Sequence, residues 1–119
     1  MMVAVMQRHL RLHRQEDFHR LRATGRVWRH PFFILSVTSN NLPHNRYGFV
    51  TSKQLGSAVT RNRIRRRLRE VMSRAHPFLL SGYDLALIAR VPVAGQSYQA
   101  ITVAVHGLLK QAGLWETER

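Results

Sequence analysis

Seven arginines stand between Arg61 and Arg74, against a single acid, Glu70. The segment reads Thr60-Arg61-Asn62-Arg63-Ile64-Arg65-Arg66-Arg67-Leu68-Arg69-Glu70-Val71-Met72. A helix advances about 100° per residue, so Ile64, Leu68, Val71 and Ala75 share one stripe that must face a core. Asn62, Arg65, Arg66 and Arg69 then lie on one flank, and Arg63, Arg67, Glu70 and Arg74 on the other. Arg61–Arg65, Arg63–Arg67 and Arg65–Arg69 are spaced i, i+4, where like charges cost roughly 0.2–0.5 kcal/mol per pair. A helix kept only for structure has no need of that cost, and a solvated face ordinarily mixes both signs. The planar guanidinium donates two hydrogen bonds at once to a phosphate. These residues are suited to gripping a nucleic-acid backbone.

Other chemistries find little support. The chain has no cysteine, which removes disulfides, thiolate metal sites and cysteine nucleophiles together. His9 and His13 are spaced i, i+4 and His19 follows, but no acidic or third ligand accompanies them, so no metal site is expected. Glu16, Asp17, Glu70 and Asp84 are too scattered for a two-metal nuclease centre. No glycine-rich loop of the P-loop type occurs. The protein itself is expected to hold no active site and no cofactor, and no small-molecule substrate is indicated.

The elements that must position the arginines fit one domain of 119 residues, 45% of them hydrophobic. Lys and Arg number 19 against 6 Asp and Glu, a formal net charge of +13. Such self-repulsion is offset by a polyanionic partner, with nucleic acid ahead of an anionic membrane surface. No apolar run approaches the roughly 20 residues of a membrane span, and Met1–Met6 is too short for a signal-peptide core. The lack of cysteine fits a cytoplasmic protein.

A short helix is expected over Gln15–Thr24, with Phe18 and Leu21 on one face and Gly25 as its stop. Phe32–Thr38 reads as a strand, Ser39–Asn45 as turn chemistry, and Arg46–Ser52 as a second strand with Tyr47, Phe49 and Thr51 on one face. The two strands are expected to pair as a hairpin, and Arg26–Trp28 to add a short edge strand. Trp28 fits either packing at that edge or an RNA contact. After the arginine helix (Ser57–Ala75), Tyr83–Arg90 is apolar at almost every position, as in a strand covered on both faces. Ser97 can cap a last helix bearing Tyr98, Ile101, Val105, Leu108, Leu109 and Ala112 on one face, with Gly113 as its stop. Gly48 and Gly56 look like close-packing and turn positions, and Trp115 is placed to close the last helix over the core. The order predicts an α/β layer sandwich with one sheet, in a single domain over 1–119 with 1–13 a flexible N-terminal arm. A strand rather than a short helix precedes the arginine helix, which argues against a helix-turn-helix DNA reader.

The run Lys53-Gln54-Leu55-Gly56-Ser57-Ala58-Val59-Thr60-Arg61-Asn62-Arg63-Ile64-Arg65-Arg66-Arg67-Leu68-Arg69-Glu70 closely resembles the signature of bacterial ribonuclease P proteins, with its Arg-Asn-Arg core. Glu16-Asp17-Phe18 followed by Gly25 looks like that family's first helix, and Tyr83-Asp84 through Arg90, then Pro92, like its last strand. The resemblance implies a ribosomal-protein-like α+β domain of order α-β-β-β-α-β-α, with a four-stranded mixed sheet and a left-handed βαβ crossover against the usual rule. It implies a non-catalytic subunit of an endoribonuclease, whose partners are a catalytic RNA and precursor tRNA. Mg2+ is expected on the RNA.

Carried over by position, the resemblance implies leader-RNA binding by Phe18, Arg22, Ser52, Lys53, Arg61, Asn62, Arg65 and Arg69, with Phe18 stacking on a base. It implies catalytic-RNA binding by Arg61, Arg63, Arg66 and Arg67. Two positions depart from the family pattern. Arg22 stands where a second aromatic is common, and a guanidinium can also stack on a base. Val50 replaces a small hydroxyl residue, which removes one hydrogen bond. A structural rRNA-binding protein would share the fold and charge but needs no leader cleft.

Overall fold

Glu16 and Asp17 occupy the first turn of a helix, Gln15–Thr24 (α1), where they complement its dipole. The chain then enters a strand, Arg26–Arg29 (β1), through Gly25. Gly25 has an ordinary φ of −72°, so no left-handed stop is made. Glycine is needed there for space: a Cβ would lie 2.3 Å from the Leu21 carbonyl oxygen and 2.7 Å from Ser36 Oγ. The computed structural model describes residues 8–12 and 14–116.

Three further strands follow, Phe33–Ser39 (β2), Arg46–Val50 (β3) and Tyr83–Ala89 (β4), in one four-stranded sheet of order β1-β2-β4-β3. The expected β2–β3 hairpin does not form. β4 inserts between the two, antiparallel to β2 and parallel to β3. β4 is the most apolar strand, and the centre of the sheet buries it best. The Asn40–Asn45 connection must therefore cross two strand spacings, about 10 Å. Buried Asn45 anchors its end, donating to the Leu80 carbonyl at 2.8 Å and accepting from the Tyr83 N–H at 2.8 Å.

Leu35, Val37, Leu85 and Leu87 point to one face of the sheet, where the main core lies. Two helices cover it. Ala58–Ala75 (α2) contributes Ile64, Leu68, Val71 and Ala75, the stripe its spacing predicts, and Ser57 Oγ accepts from the Thr60 N–H to cap it. Tyr98–Gln111 (α3) contributes Ile101, Ala104, Val105, Leu108 and Leu109, capped by Ser97 and followed by Gly113 at φ +75°. Trp28 packs against this core at the sheet edge with Arg26 over its ring, and Trp115 packs against it beneath α3. Among the described residues no helix is long and apolar enough to cross a membrane.

The opposite face is only half covered. Ser36, Ala86 and Gly48 are register partners and form a row of small residues across β2, β4 and β3. α1 lies on that row: Leu21 packs with Leu12 and Ala86, and Phe18 joins them. The next row, Ile34–Ile88–Val50, has no helix above it and stays partly exposed. β4 is thus covered on both faces over its first half, not throughout. The described end of the expected flexible arm is docked instead. Leu12 is buried, its N–H donates to the Tyr47 carbonyl at 2.7 Å, and Arg11 bridges Tyr47 in parallel along the β3 edge. An apolar side chain facing Gly48 and the exposed edge of β3 together explain the docking. Residues 1–7 and 13 lie outside the described residues.

Candidate nucleic-acid interface

Phe18 comes from α1 and its ring reaches down onto the sheet because Gly48 has no side chain. A Cβ at Gly48 would sit 2.6 Å from the ring's Cζ and 3.3 Å from Leu12 Cβ. The ring therefore closes a small core on its inner side and stays partly exposed on its outer side. One turn on, Arg22 is exposed. Beside Phe18 run Val50, Ile88 and Ile34, a partly open apolar strip, with Val50 where a hydroxyl was of interest.

At the β3 margin of this strip, Arg65 donates to the hydroxyl of Thr51 and to the side-chain carbonyl of Asn62. Arg65 is thereby locked along the strand end, beside exposed Ser52 and Lys53. Arg69 follows one turn later and is half-buried. Burial, then the charges of Arg11 and Arg65, pull its pKa below the ordinary arginine value, and it remains a cation at neutral pH. Arg61 Nε is shielded from solvent and has no hydrogen-bond partner among the described residues. A donor left so costs about 1–3 kcal/mol unless an acceptor arrives.

The second flank is arranged differently. Arg63 is exposed, while Arg67 is half-buried and donates to the Gln96 carbonyl at 3.3 Å, clipping α2 to the loop before α3. Arg74 pairs with Glu70 at 3.3 Å. Thus Phe18, Ser52, Lys53, Asn62, Arg65 and Arg69 border one surface, Arg63 and Arg67 stand on the opposite flank of α2, and exposed Arg66 lies at the outer edge of the first flank.

Holding α1 against the sheet is an ionic hub that sequence spacing did not disclose. Asp84 is buried at the start of β4. Arg46 grips both its oxygens, Nε to Oδ1 at 2.9 Å and Nη2 to Oδ2 at 2.8 Å. Arg20 of α1 donates to Asp84 as well, and Asn40 Nδ2 donates at 2.9 Å. Asp17 meets Arg46 at 3.3 Å. Two of the carboxylates that looked scattered therefore converge, but around arginines. Burial pushes Asp84 up; the hydrogen bonds from Arg46 and Asn40, with the charges of Arg46 and Arg20, outweigh it and hold the carboxyl below its ordinary value.

Five of the histidines, His9, His30, His44, His76 and His106, lie against other rings. His9 meets His44 edge-on at 5.1 Å, and His76 Nδ1 is 2.7 Å from the Tyr47 hydroxyl. Burial pushes Tyr47 up to about 12. Burial, then His44 and His9, lower His76. His106 lies 4.8 Å from the Trp115 ring. His13 lies outside the described residues, and among those described no three metal-binding side chains converge.

A helix-backed sheet with one partly open face, a partly exposed aromatic and an arginine rim defines a small basic α+β protein whose charged rim is chemically suited to a polyanion. The family model for ribonuclease P matches residues 6–113, and the chain belongs to that family. A ribonuclease P protein component of Herpetosiphon aurantiacus is 40% identical over 110 residues, covering 92% of this chain and 89% of the relative. The solved Staphylococcus aureus RNase P protein superposes with a TM-score of 0.84 at 30% identity, covering 89% of this chain and 97% of the other. A mutant of the S. aureus protein, described as defective in mRNA degradation activity, gives 0.85 at 29% identity over 90% of this chain and 91% of its own.

Proposed function

We propose that this protein is the non-catalytic subunit of ribonuclease P, binding the catalytic RNA and the 5′ leader of precursor tRNA while the leader is cut off endonucleolytically. The observation that carries this reading is the joining of Phe18, the Ile34–Ile88–Val50 strip and the Asn62–Arg65–Arg69 flank along one margin of β3. Apolar floor and aromatic suit unpaired bases, and the arginines suit the phosphates beside them. Unpartnered Arg61 Nε supports the same reading, since a phosphate oxygen supplies its missing acceptor. Arg63 and Arg67 on the opposite flank and exposed Arg66 at the helix's outer edge are assigned, with Arg61, to the catalytic RNA. Magnesium ions on that RNA carry the chemistry. The place of work is the cytoplasm, with neither a membrane nor a small-molecule substrate involved.

The direct test adds the protein to a bacterial ribonuclease P RNA and measures cleavage of precursor tRNA at low magnesium. Cleavage rises with the protein if the reading is right and does not change if it is wrong. Protein rigorously freed of RNA is expected to turn over neither precursor tRNA nor mRNA; the mRNA arm is included because of the activity described for the S. aureus protein. Turnover of either substrate would place an active site in the protein.

Salt reports on the arginines. Log affinity for RNA falls with log salt at a slope of about −0.7 per contacted phosphate on single strands. Arg65→Ala is expected to flatten that slope by roughly one contact's worth and to weaken binding across sequences alike. An unchanged slope would show that Arg65 serves only its bonds to Thr51 and Asn62.

A further inference from the structure

The open half of the sheet does not stop at the residues assigned above. Ile34 pairs with Ile88 on one side and with Arg29 of β1 on the other. Trp28 points to the main core, so Arg29, the next residue, projects from the same face as Ile34. The row Val50–Ile88–Ile34–Arg29 therefore crosses the whole sheet on its uncovered face. Val27, two residues before Arg29 on that face, is 47% exposed. At the far end a second cation gathers: Arg90, exposed at the close of β4, donates to the His30 carbonyl at 3.3 Å. Arg29 itself is exposed and makes no hydrogen bond or ion pair among those described. An apolar lane with Arg65 at one margin and Arg29 and Arg90 at the other matches a strand of RNA laid across it. Its bases meet the aliphatic floor and its phosphates the cations at either end.

Resting on the leader-binding reading above, we propose that the RNA track continues past the Phe18 cleft across the sheet to β1, where Arg29 holds a phosphate of the upstream leader. Three strand spacings separate β3 from β1, about 14 Å, room for about two to four more nucleotides. The contact is thus felt only by leaders long enough to reach it.

The experiment uses the holoenzyme assembled with a bacterial ribonuclease P RNA, a ladder of precursor tRNAs with leaders shortened stepwise, and mature tRNA. Affinity is measured over a salt series for the unaltered protein, Arg29→Ala, Arg29→Lys and Arg65→Ala. For long leaders, Arg29→Ala weakens binding roughly three- to ten-fold and makes the salt slope shallower by about 0.7, while Arg29→Lys keeps the slope. With short leaders and mature tRNA, Arg29→Ala binds like the unaltered protein. Loss at every length including mature tRNA, or at none, overturns the proposal. Arg65→Ala separates the two levels of inference. If it loses leader-dependent affinity and Arg29→Ala does not, only the extension to β1 falls; if neither does, the leader-binding reading falls too.

Discussion

Replacing Asp84 with Ala lowers the stability of the free protein by about 3 kcal/mol, near the lower end of the range for breaking a buried ion pair. Asp84 is fully buried, and its removal leaves Arg46, Arg20 and Asn40 facing one another without the carboxylate they share. The two arginine side chains are 22% and 36% exposed, so water relieves part of the penalty and holds the loss near that lower end. For a chain of this size the midpoint falls by about 10 °C or more. Asp17→Asn removes only a peripheral partner of Arg46 and costs far less. The hub also sets the acid limb. Asp84 titrates lower in the folded state than in the unfolded chain, so its contribution is complete above about pH 4 and is lost as pH falls through the folded value. Thermal melts from neutral to acid pH check both points: Asp84→Ala should be less stable at neutral pH and lose less on acidification. A variant that melts like the unaltered protein would remove the hub's claim to hold α1 on the sheet.

Phe18→Ala is the second large effect, and it separates packing from recognition. Its ring rests on Gly48 and Leu12, so truncation opens space beneath α1. Because the ring is only half-buried, the loss of stability should fall well below the 3–5 kcal/mol of a fully buried Phe, at about 1–2 kcal/mol. Leader affinity is a different quantity. If a leader base stacks on the exposed side of the ring, precursor tRNA binds the variant holoenzyme more weakly by about 1–3 kcal/mol. Mature tRNA, which has no leader, binds almost as before, and assembly with the catalytic RNA survives because α2 is untouched. Thermal unfolding of the free variant, paired with affinities for substrates with and without a leader, checks this. A large drop in melting temperature with no leader-dependent difference would reduce Phe18 to a packing residue.

Much of this protein is local and therefore legible along the chain. The Ile64–Leu68–Val71–Ala75 stripe dictates which side of α2 is buried, and with it which arginines stand on each flank. Ser57 and Ser97 mark helix starts because a hydroxyl one residue before a helix meets an orphan N–H. Type and placement of α1, α2, α3 and the strands follow from such short-range rules. So does the expectation of a polyanionic partner, since charge needs no fold to be counted.

Pairing across the sheet is different. β2 and β3 look like a hairpin because turn residues lie between them, yet β4, more than thirty positions downstream, separates them; burial of the most apolar strand outweighs the nearness of the other two. That exchange brings Asp84 between Thr38 and Arg46, makes a row of Ser36, Ala86 and Gly48, and gives Phe18 its seat. It also leaves Ile34, Ile88 and Val50 uncovered beside Arg65. Composition and periodicity pointed to a polyanionic partner and to α2 as the helix suited to meet it. Only the strand order, set by long-range burial, decided where an open surface lies beside that helix.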